Sequence, residues 1–127
     1  MMFLGEYQVA FTGQGRVLLP KKIRDLLADS EFVLMRGEGT CLAGYKKENF
    51  EALSQSMLAE SLKDTQTLQE RRKLFSATVY AEVDDQGRFV IPKSMLTYAH
   101  LNKKVLIVGV GDHFEIWGEE AWNKANS

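Results

Sequence analysis

The apolar and polar positions of this chain run through the same order of elements twice. Short alternating runs rich in β-branched and aromatic residues are typical of strands, and the glycine-containing turns between them indicate hairpins. A run with helical spacing follows each hairpin, so the pattern predicts the order β-β-α-β-β-α in both halves. The first half has strands over residues 7–11, 16–19, 32–35 and 41–45 with helices over residues 21–28 and from 47, and the second has strands over residues 78–83, 88–91, 104–108 and 113–117 with helices over residues 92–99 and 119–124.

An internal repeat explains this order. The segment from Gln14 to Lys21 returns as the segment from Gln86 to Lys93, and this offset of 72 residues continues without a gap beyond both segments. Two copies of about 50 residues each would bury too little surface to be stable alone, so we expect them to share one core. Further matches at the same offset are Val33 with Val105, Gly37 with Gly109 and Glu48 with Glu120.

The two copies and the segment between them predict a mixed α+β chain that is rich in β-structure. The first repeat is assigned to residues 3–58 and the second to residues 75–127. Residues 59–74 are assigned to a helical connector, because apolar residues such as Leu58 and Leu62 keep near-helical spacing before a polar stretch and a second helix.

Composition narrows the class of protein. Apolar residues make up 45% and charged residues 26% of the chain, as in ordinary soluble domains. No apolar run approaches the roughly 20 residues that span a bilayer, and the first residues do not predict a secretory signal. The single cysteine, Cys41, cannot form an internal disulfide, which fits a cytoplasmic location. Because the formal net charge is −1, a surface that binds nucleic acid would have to be local.

Positive charge is concentrated at the two repeated Gly-Arg turns, since residues 14–24 and residues 86–96 carry cations and no acid. Arginine directly after a glycine turn projects from a hairpin, and a two-stranded ribbon can enter the major groove, where the guanidinium group binds phosphate or guanine. The alternative is a local ion pair, because Asp84 and Arg88 flank one turn; the two interpretations are compatible and the residues alone leave both open. The candidate DNA-binding residues are Arg16, Lys21, Lys22, Arg24, Arg88 and Lys93.

No set of residues in the sequence indicates catalysis, a cofactor or a metal site. Cys41 has no histidine at ligand spacing and is expected to be a buried thiol, and His100 and His113 lie apart. The two Gly-x-Gly segments, at residues 37–39 and 109–111, lack the lysine and the helix of a phosphate-binding loop. They are typical of hairpin turns.

Several segments in order resemble the MraZ family, namely residues 3–7, the two Gly-Arg-x-x-x-Pro motifs and residues 108–117. The resemblance covers almost the whole chain. It implies two AbrB-like, swapped-hairpin units that form a double-split β-barrel, and homo-oligomeric rings that are usually octamers or dodecamers. It also implies a cytoplasmic, nucleoid-associated bacterial regulator that binds short repeats in promoter DNA. The implied targets are the division and cell-wall gene cluster, with repression that includes the regulator's own gene.

Members of the family carry an aspartate four residues before the arginine of each repeat. The second repeat has Asp84 before Arg88, whereas the first has Thr12 before Arg16. The resemblance therefore implies the charge of Arg16 but not its orientation. The residues that the resemblance implies as orienting the motif are Gly15, Gly87 and Asp84.

A rival expectation comes from related swapped-hairpin proteins, some of which are antitoxins. The chain would then be an antitoxin-like or structural homo-oligomer whose hairpins bind a protein partner. The double repeat and the nearly complete resemblance favour the regulator.

Overall fold

The computed structural model describes residues 2–59 and 65–127, which form eight strands and five helices. The element order repeats β-β-α-β-β-α, as the pattern predicts, with one additional helix between the copies. The strands are β1 (Glu6–Gly13), β2 (Arg16–Leu18), β3 (Glu31–Arg36), β4 (Cys41–Tyr45), β5 (Val79–Glu82), β6 (Arg88–Val90), β7 (Lys104–Gly109) and β8 (Phe114–Gly118), and the helices are α1 (Lys21–Leu27), α2 (Lys47–Ala59), α3 (Thr65–Ser76), α4 (Lys93–Tyr98) and α5 (Glu119–Ala125).

The strands form one antiparallel sheet in the order β5-β3-β4-β8-β7-β1-β2-β6. Its two end strands, β5 and β6, are joined by a turn in which the Asp84 amide donates to the Arg88 carbonyl at 2.8 Å. The sheet is therefore nearly closed on itself. The hairpin predicted from the strands at residues 78–83 and 88–91 is wrong in its pairing, because β5 pairs with β3 and β6 pairs with β2. The predicted fold class, a β-rich α+β double-split barrel, is confirmed.

The two copies are exchanged by an approximate two-fold axis that crosses the sheet twice. In the β2–β6 pair Val17 lies opposite Phe89, and in the β4–β8 pair Ala43 lies opposite Glu115. Both pairs are separated by the 72-residue offset of the sequence repeat. Equivalent residues face each other directly only on the axis that exchanges them, so the copies lie side by side in one barrel.

Aromatic rings from both copies meet in one core. Phe32 of the first copy contacts two rings of the second, with centroids 5.2 Å from Phe89 and 5.4 Å from Phe114. Phe3 lies 5.6 Å from Phe114, and all four side chains are at most 2% exposed. A side chain at Gly44 would collide with the Phe114 ring, which explains glycine in that strand. Neither copy has a complete core of its own.

The helices also follow the pattern, with differences at their ends. The second-copy helix predicted over residues 92–99 begins one residue later, because Pro92 lies immediately before α4, as Pro20 does before α1. Leu62 lies outside the described residues, and the boundaries of the repeats and the connector stay a prediction. No helix in residues 2–59 or 65–127 is both long and apolar enough to cross a membrane.

Candidate nucleic-acid interface

Each Gly-Arg turn is hydrogen-bonded to the other copy. Gly15 and Gly87 are buried and have φ angles of +71° and +83°, a conformation that glycine adopts without steric cost. The Gly15 carbonyl accepts a hydrogen bond from the Ile91 amide at 2.8 Å, and the Gly87 carbonyl accepts one from the Leu19 amide at 2.8 Å. The backbone positions of the two turns are therefore fixed from across the barrel.

Strands β2 and β6 form a two-stranded ribbon with one buried and one exposed face. Val17 and Phe89 point into the core, so their neighbours along each strand point outward. In the register of the pair Arg16 lies opposite Val90, and Leu18 lies opposite Arg88. We call this outward set the ribbon face, and its members are Arg16, Leu18, Arg88 and Val90.

The second turn holds its arginine with a carboxylate. Asp84 Oδ1 accepts hydrogen bonds from the amides of Gln86 and Arg88, both at 2.9 Å, and its Oδ2 lies 3.0 Å from Arg88 Nε. The Arg88 amide, with smaller contributions from the Gln86 amide and the Arg88 side chain, lowers the pKa of the Asp84 carboxyl below 3.8. The ion pair that the sequence left open is formed, and it holds the Arg88 side chain next to Asp84.

The first turn lacks this tether. The Thr12 hydroxyl donates to the Arg16 carbonyl at 3.4 Å, so it bonds to the backbone and forms no hydrogen bond with the guanidinium group. Arg16 is exposed and forms no ion pair with any residue in the part of the chain that the structure describes. The two equivalent arginines therefore carry the same charge, but only Arg88 has a carboxylate beside it.

The lysines that follow the turns lie at the starts of α1 and α4. Lys21 forms a surface ion pair with Asp25 at 3.2 Å, in which both side chains are more than half exposed. Such a pair contributes little stability and leaves the lysine available to a stronger anion. Lys22 and Lys93 are also exposed, and Lys93 lines a cleft together with Gly15 of the opposite turn. Helix α4 thus supplies charge next to the first turn.

Arg24 lies in a different environment from the other candidates. Its Nε donates to the Leu19 carbonyl at 2.9 Å, and its guanidinium covers Gly87, where an added Cβ would lie only 2.6 Å away. The equivalent residue of α4 is Leu96, whose Cδ1 would lie 3.5 Å from a Cβ at Gly15. Each helix therefore covers the glycine of the opposite turn, one with a cation and the other with an aliphatic group.

Two residues of the ribbon face were not among the sequence candidates. Leu18 is 41% exposed and Val90 is 53% exposed, although both are aliphatic. Strand alternation could have identified them, because both are flanked by buried positions. Among the other sequence candidates Cys41 is buried, and burial, with the nearby Glu115 and Glu38 carboxylates, raises its pKa to about 12. Residues 2–59 and 65–127 hold no group of three His, Cys, Asp or Glu side chains that could hold a metal ion.

Comparison with known proteins gives one consistent family. The family model of the MraZ protein, whose description carries the words antitoxin-like, matches residues 2–72 and 74–127. A protein of Ligilactobacillus salivarius named transcriptional regulator MraZ is 41% identical over 95% of this chain and 84% of its own length. Proteins of the same name from Lactiplantibacillus plantarum and Limosilactobacillus reuteri are 40% and 38% identical, over 97% and 99% of this chain and 86% and 88% of their own lengths.

Proposed function

Since this chain belongs to the MraZ family, whose relatives above are named as transcriptional regulators and not as enzymes, we propose that it is a sequence-specific regulator that binds promoter DNA through its ribbon face. The observation that carries the proposal is the pair of equivalent arginines, Arg16 and Arg88, on the exposed side of one β-ribbon. A ribbon of two antiparallel strands has the width to enter a major groove. Its guanidinium groups would there bind guanine or the flanking phosphates.

The remaining cations would support the arginines. Lys21, Lys22 and Lys93 are exposed at the starts of the helices and would contact phosphates, which add affinity without adding sequence information. Arg24 would add its charge next to the second turn while its Nε stays bonded to Leu19.

One protomer offers only a handful of cations, so its binding would be weak and sensitive to salt. We propose that the protein forms a homo-oligomeric ring, an octamer or a dodecamer, that engages successive short repeats in a promoter. The ring raises the effective concentration of each further contact, and weak contacts then give tight occupancy. The proposed outcome is repression, by exclusion of the polymerase, of the bacterial division and cell-wall gene cluster and of the regulator's own gene. This function places the protein in the cytoplasm, at the nucleoid.

The test is binding of the protein to a DNA fragment from upstream of its own gene, measured across a salt series. We expect Arg16→Ala and Arg88→Ala each to weaken binding by roughly tenfold, and Lys21→Ala to reduce the salt dependence by about one counterion. The matched control is Arg72→Ala, which removes an exposed arginine of α3 that is not among the candidate DNA-binding residues. Its affinity should equal that of the wild type.

Two outcomes would overturn parts of the proposal. If all three ribbon and helix variants bind as the wild type does, the ribbon face is not the DNA surface. If one promoter repeat binds as tightly as several, the multivalent ring is wrong. An antitoxin-like or structural homo-oligomer, which the wording of the family description favours as the second candidate, predicts no promoter binding and a stable complex with a protein partner.

A further inference from the structure

The two exposed aliphatic side chains of the ribbon face occupy equivalent positions. Leu18 and Val90 are separated by the 72-residue offset of the repeat, so the approximate two-fold axis exchanges them. A single exposed aliphatic residue on a strand needs no explanation. Here the same kind of side chain recurs in both copies, in each case directly opposite an arginine of the other copy. This placement ties the aliphatic residues to the cations.

The ribbon face is a four-point array of alternating chemistry. Strands in a sheet lie about 4.8 Å apart, and residues two apart along a strand are separated by roughly 6.8 Å. Arg16 and Arg88 are diagonal neighbours, with Cα atoms about 7–8 Å apart. Each arginine therefore has one aliphatic neighbour along its own strand and another across the ribbon. The array spans about two base-pair steps, since the DNA rise is roughly 3.4 Å.

The chemistry of the major groove gives each member of the array a partner. The arginines match the O6 and N7 acceptors of guanine. Leu18 and Val90 have no donor or acceptor, and the apolar group that the major groove presents is the C5 methyl of thymine. Contact with the phosphate backbone would leave both aliphatic side chains against charged oxygens, where they gain nothing. An apolar partner therefore favours the groove over the backbone.

We infer that Leu18 and Val90 are specificity-determining residues that contact thymine methyl groups next to the bases bound by Arg16 and Arg88. The inference rests on the proposed function and deepens it, since it names the feature of the DNA that each copy recognises. Because the axis exchanges the two aliphatic residues, the recognised thymines should occur at two positions related by an approximate dyad in each binding unit.

The test replaces single thymines of the upstream fragment with deoxyuridine, which removes only the methyl group. For the wild type we expect affinity to fall about threefold to fivefold at the contacted thymines, as for the loss of one buried methyl contact. Leu18→Ala and Val90→Ala should each lose sensitivity to uracil at their own thymine, which isolates the pairwise contact in a double-mutant cycle. Leu53→Ala, an exposed leucine on α2, is the matched control and should keep the wild-type profile.

The outcomes separate this inference from the proposed function. If Arg16→Ala weakens binding while uracil at no position does, the ribbon binds DNA but its aliphatic residues do not contact methyl groups, and the inference is wrong. If the Leu18 or Val90 variant changes the oligomer mass in light scattering while uracil has no effect, the face is covered by a second copy, which also overturns it. If the wild type does not bind the DNA fragment at all, both the proposed function and the inference are wrong.

Discussion

The two Gly-Arg turns share a backbone and differ in how they hold their arginine. Both turns contain a buried glycine with positive φ whose carbonyl is bonded to the opposite copy. In the second turn a carboxylate accepts two amides and the guanidinium of Arg88. In the first turn a hydroxyl donates to the Arg16 carbonyl and leaves the guanidinium without a partner among the described residues.

This difference separates two properties that usually change together. The position of each arginine along the ribbon is set by backbone contacts between copies, which both turns keep. Its orientation and net local charge are set by one side chain, which only the second turn has. The Arg16 side chain is thus held by fewer contacts and keeps its full charge, whereas the Arg88 side chain is held by Asp84 and partly neutralised.

The largest expected effect comes from the glycines themselves. An alanine at Gly15 or Gly87 adopts a left-handed conformation at a cost of about 1–2 kcal/mol. At Gly15 the new Cβ also lies 3.0 Å from the Ile91 carbonyl, which the sheet holds in place, whereas at Gly87 it meets the guanidinium of Arg24, the end of a long side chain that can turn away. We therefore expect Gly15→Ala to lower the free energy of unfolding by roughly 2–3 kcal/mol and Gly87→Ala by about 1–2 kcal/mol, measured by urea denaturation at fixed protein concentration.

Gly111→Ala provides the matched control for that comparison. Gly111 has a φ angle of +92°, and an added Cβ would meet no atom within 4 Å. Its substitution should therefore cost the conformational strain alone. Equal losses at all three positions would show that the contacts across the barrel add nothing to the cost.

An exchange of the two orienting residues should give a smaller effect. Thr12→Asp offers the first turn a carboxylate for two amides and for Arg16, and we expect the melting temperature to rise by about 2–4 °C. Asp84→Thr should lower it by a similar amount. On promoter DNA, Thr12→Asp should reduce the salt dependence of binding, because the introduced acid partly neutralises Arg16.

The double variant, with threonine at position 84 and aspartate at position 12, is the control for this exchange. Its stability should return close to that of the wild type, because each turn then carries the residue of the other. A double variant as unstable as Asp84→Thr alone would show that the first turn cannot use a carboxylate.

The smallest effect is a pH dependence confined to the second turn. The Arg88 amide lowers the pKa of Asp84 in the folded protein below its ordinary value of 3.8. A lowered folded-state pKa gives stability that is complete above the unfolded value and is lost as the pH falls through the folded one. The difference in melting temperature between wild type and Asp84→Asn should therefore be constant near neutral pH and shrink below about pH 3.8.

Thr12→Ser changes an uncharged residue at the equivalent position, so its difference from the wild type should not vary with pH. The pKa of Asp29 is also lowered, chiefly by the Glu31 amide, but this background is common to all of these variants. A difference for Asp84→Asn that persists unchanged to pH 2 would contradict the role of the carboxylate.

The sequence was sufficient for the strands, for three of the four hairpins and for a core shared by the two copies, because these follow from local alternation and from the size and spacing of the 72-residue repeat. The barrel was what the resemblance to the family implied. The sequence repeat does not predict the structure at the start of each copy. Phe3 is in the core against Phe114, whereas its equivalent, Phe75, lies on α3 and packs against Phe50 at 6.2 Å. The connector gives the chain a different path before the second copy. A match between residues 72 positions apart cannot reveal such a change.

The sequence selected the two arginines as candidates for the site and indicated less about the residues around them. The place of Arg24 over Gly87 depends on a contact between residues 63 positions apart, and no local pattern reports it. The exposure of Leu18 and Val90 could have been read from alternation. Their exposure suggested a function only after the strand register placed each of them opposite an arginine.

The hydrogen bonds from Ile91 to Gly15 and from Leu19 to Gly87 bear on how such a molecule can change over generations. A half-length product would lack partners for these groups and could recover them only from a sister half. In the tandem chain the two halves are covalently linked, so each half always has the other as its partner. The two halves are then free to acquire unlike side chains, as at Thr12 and Asp84, while neither can alter its main-chain path without the other.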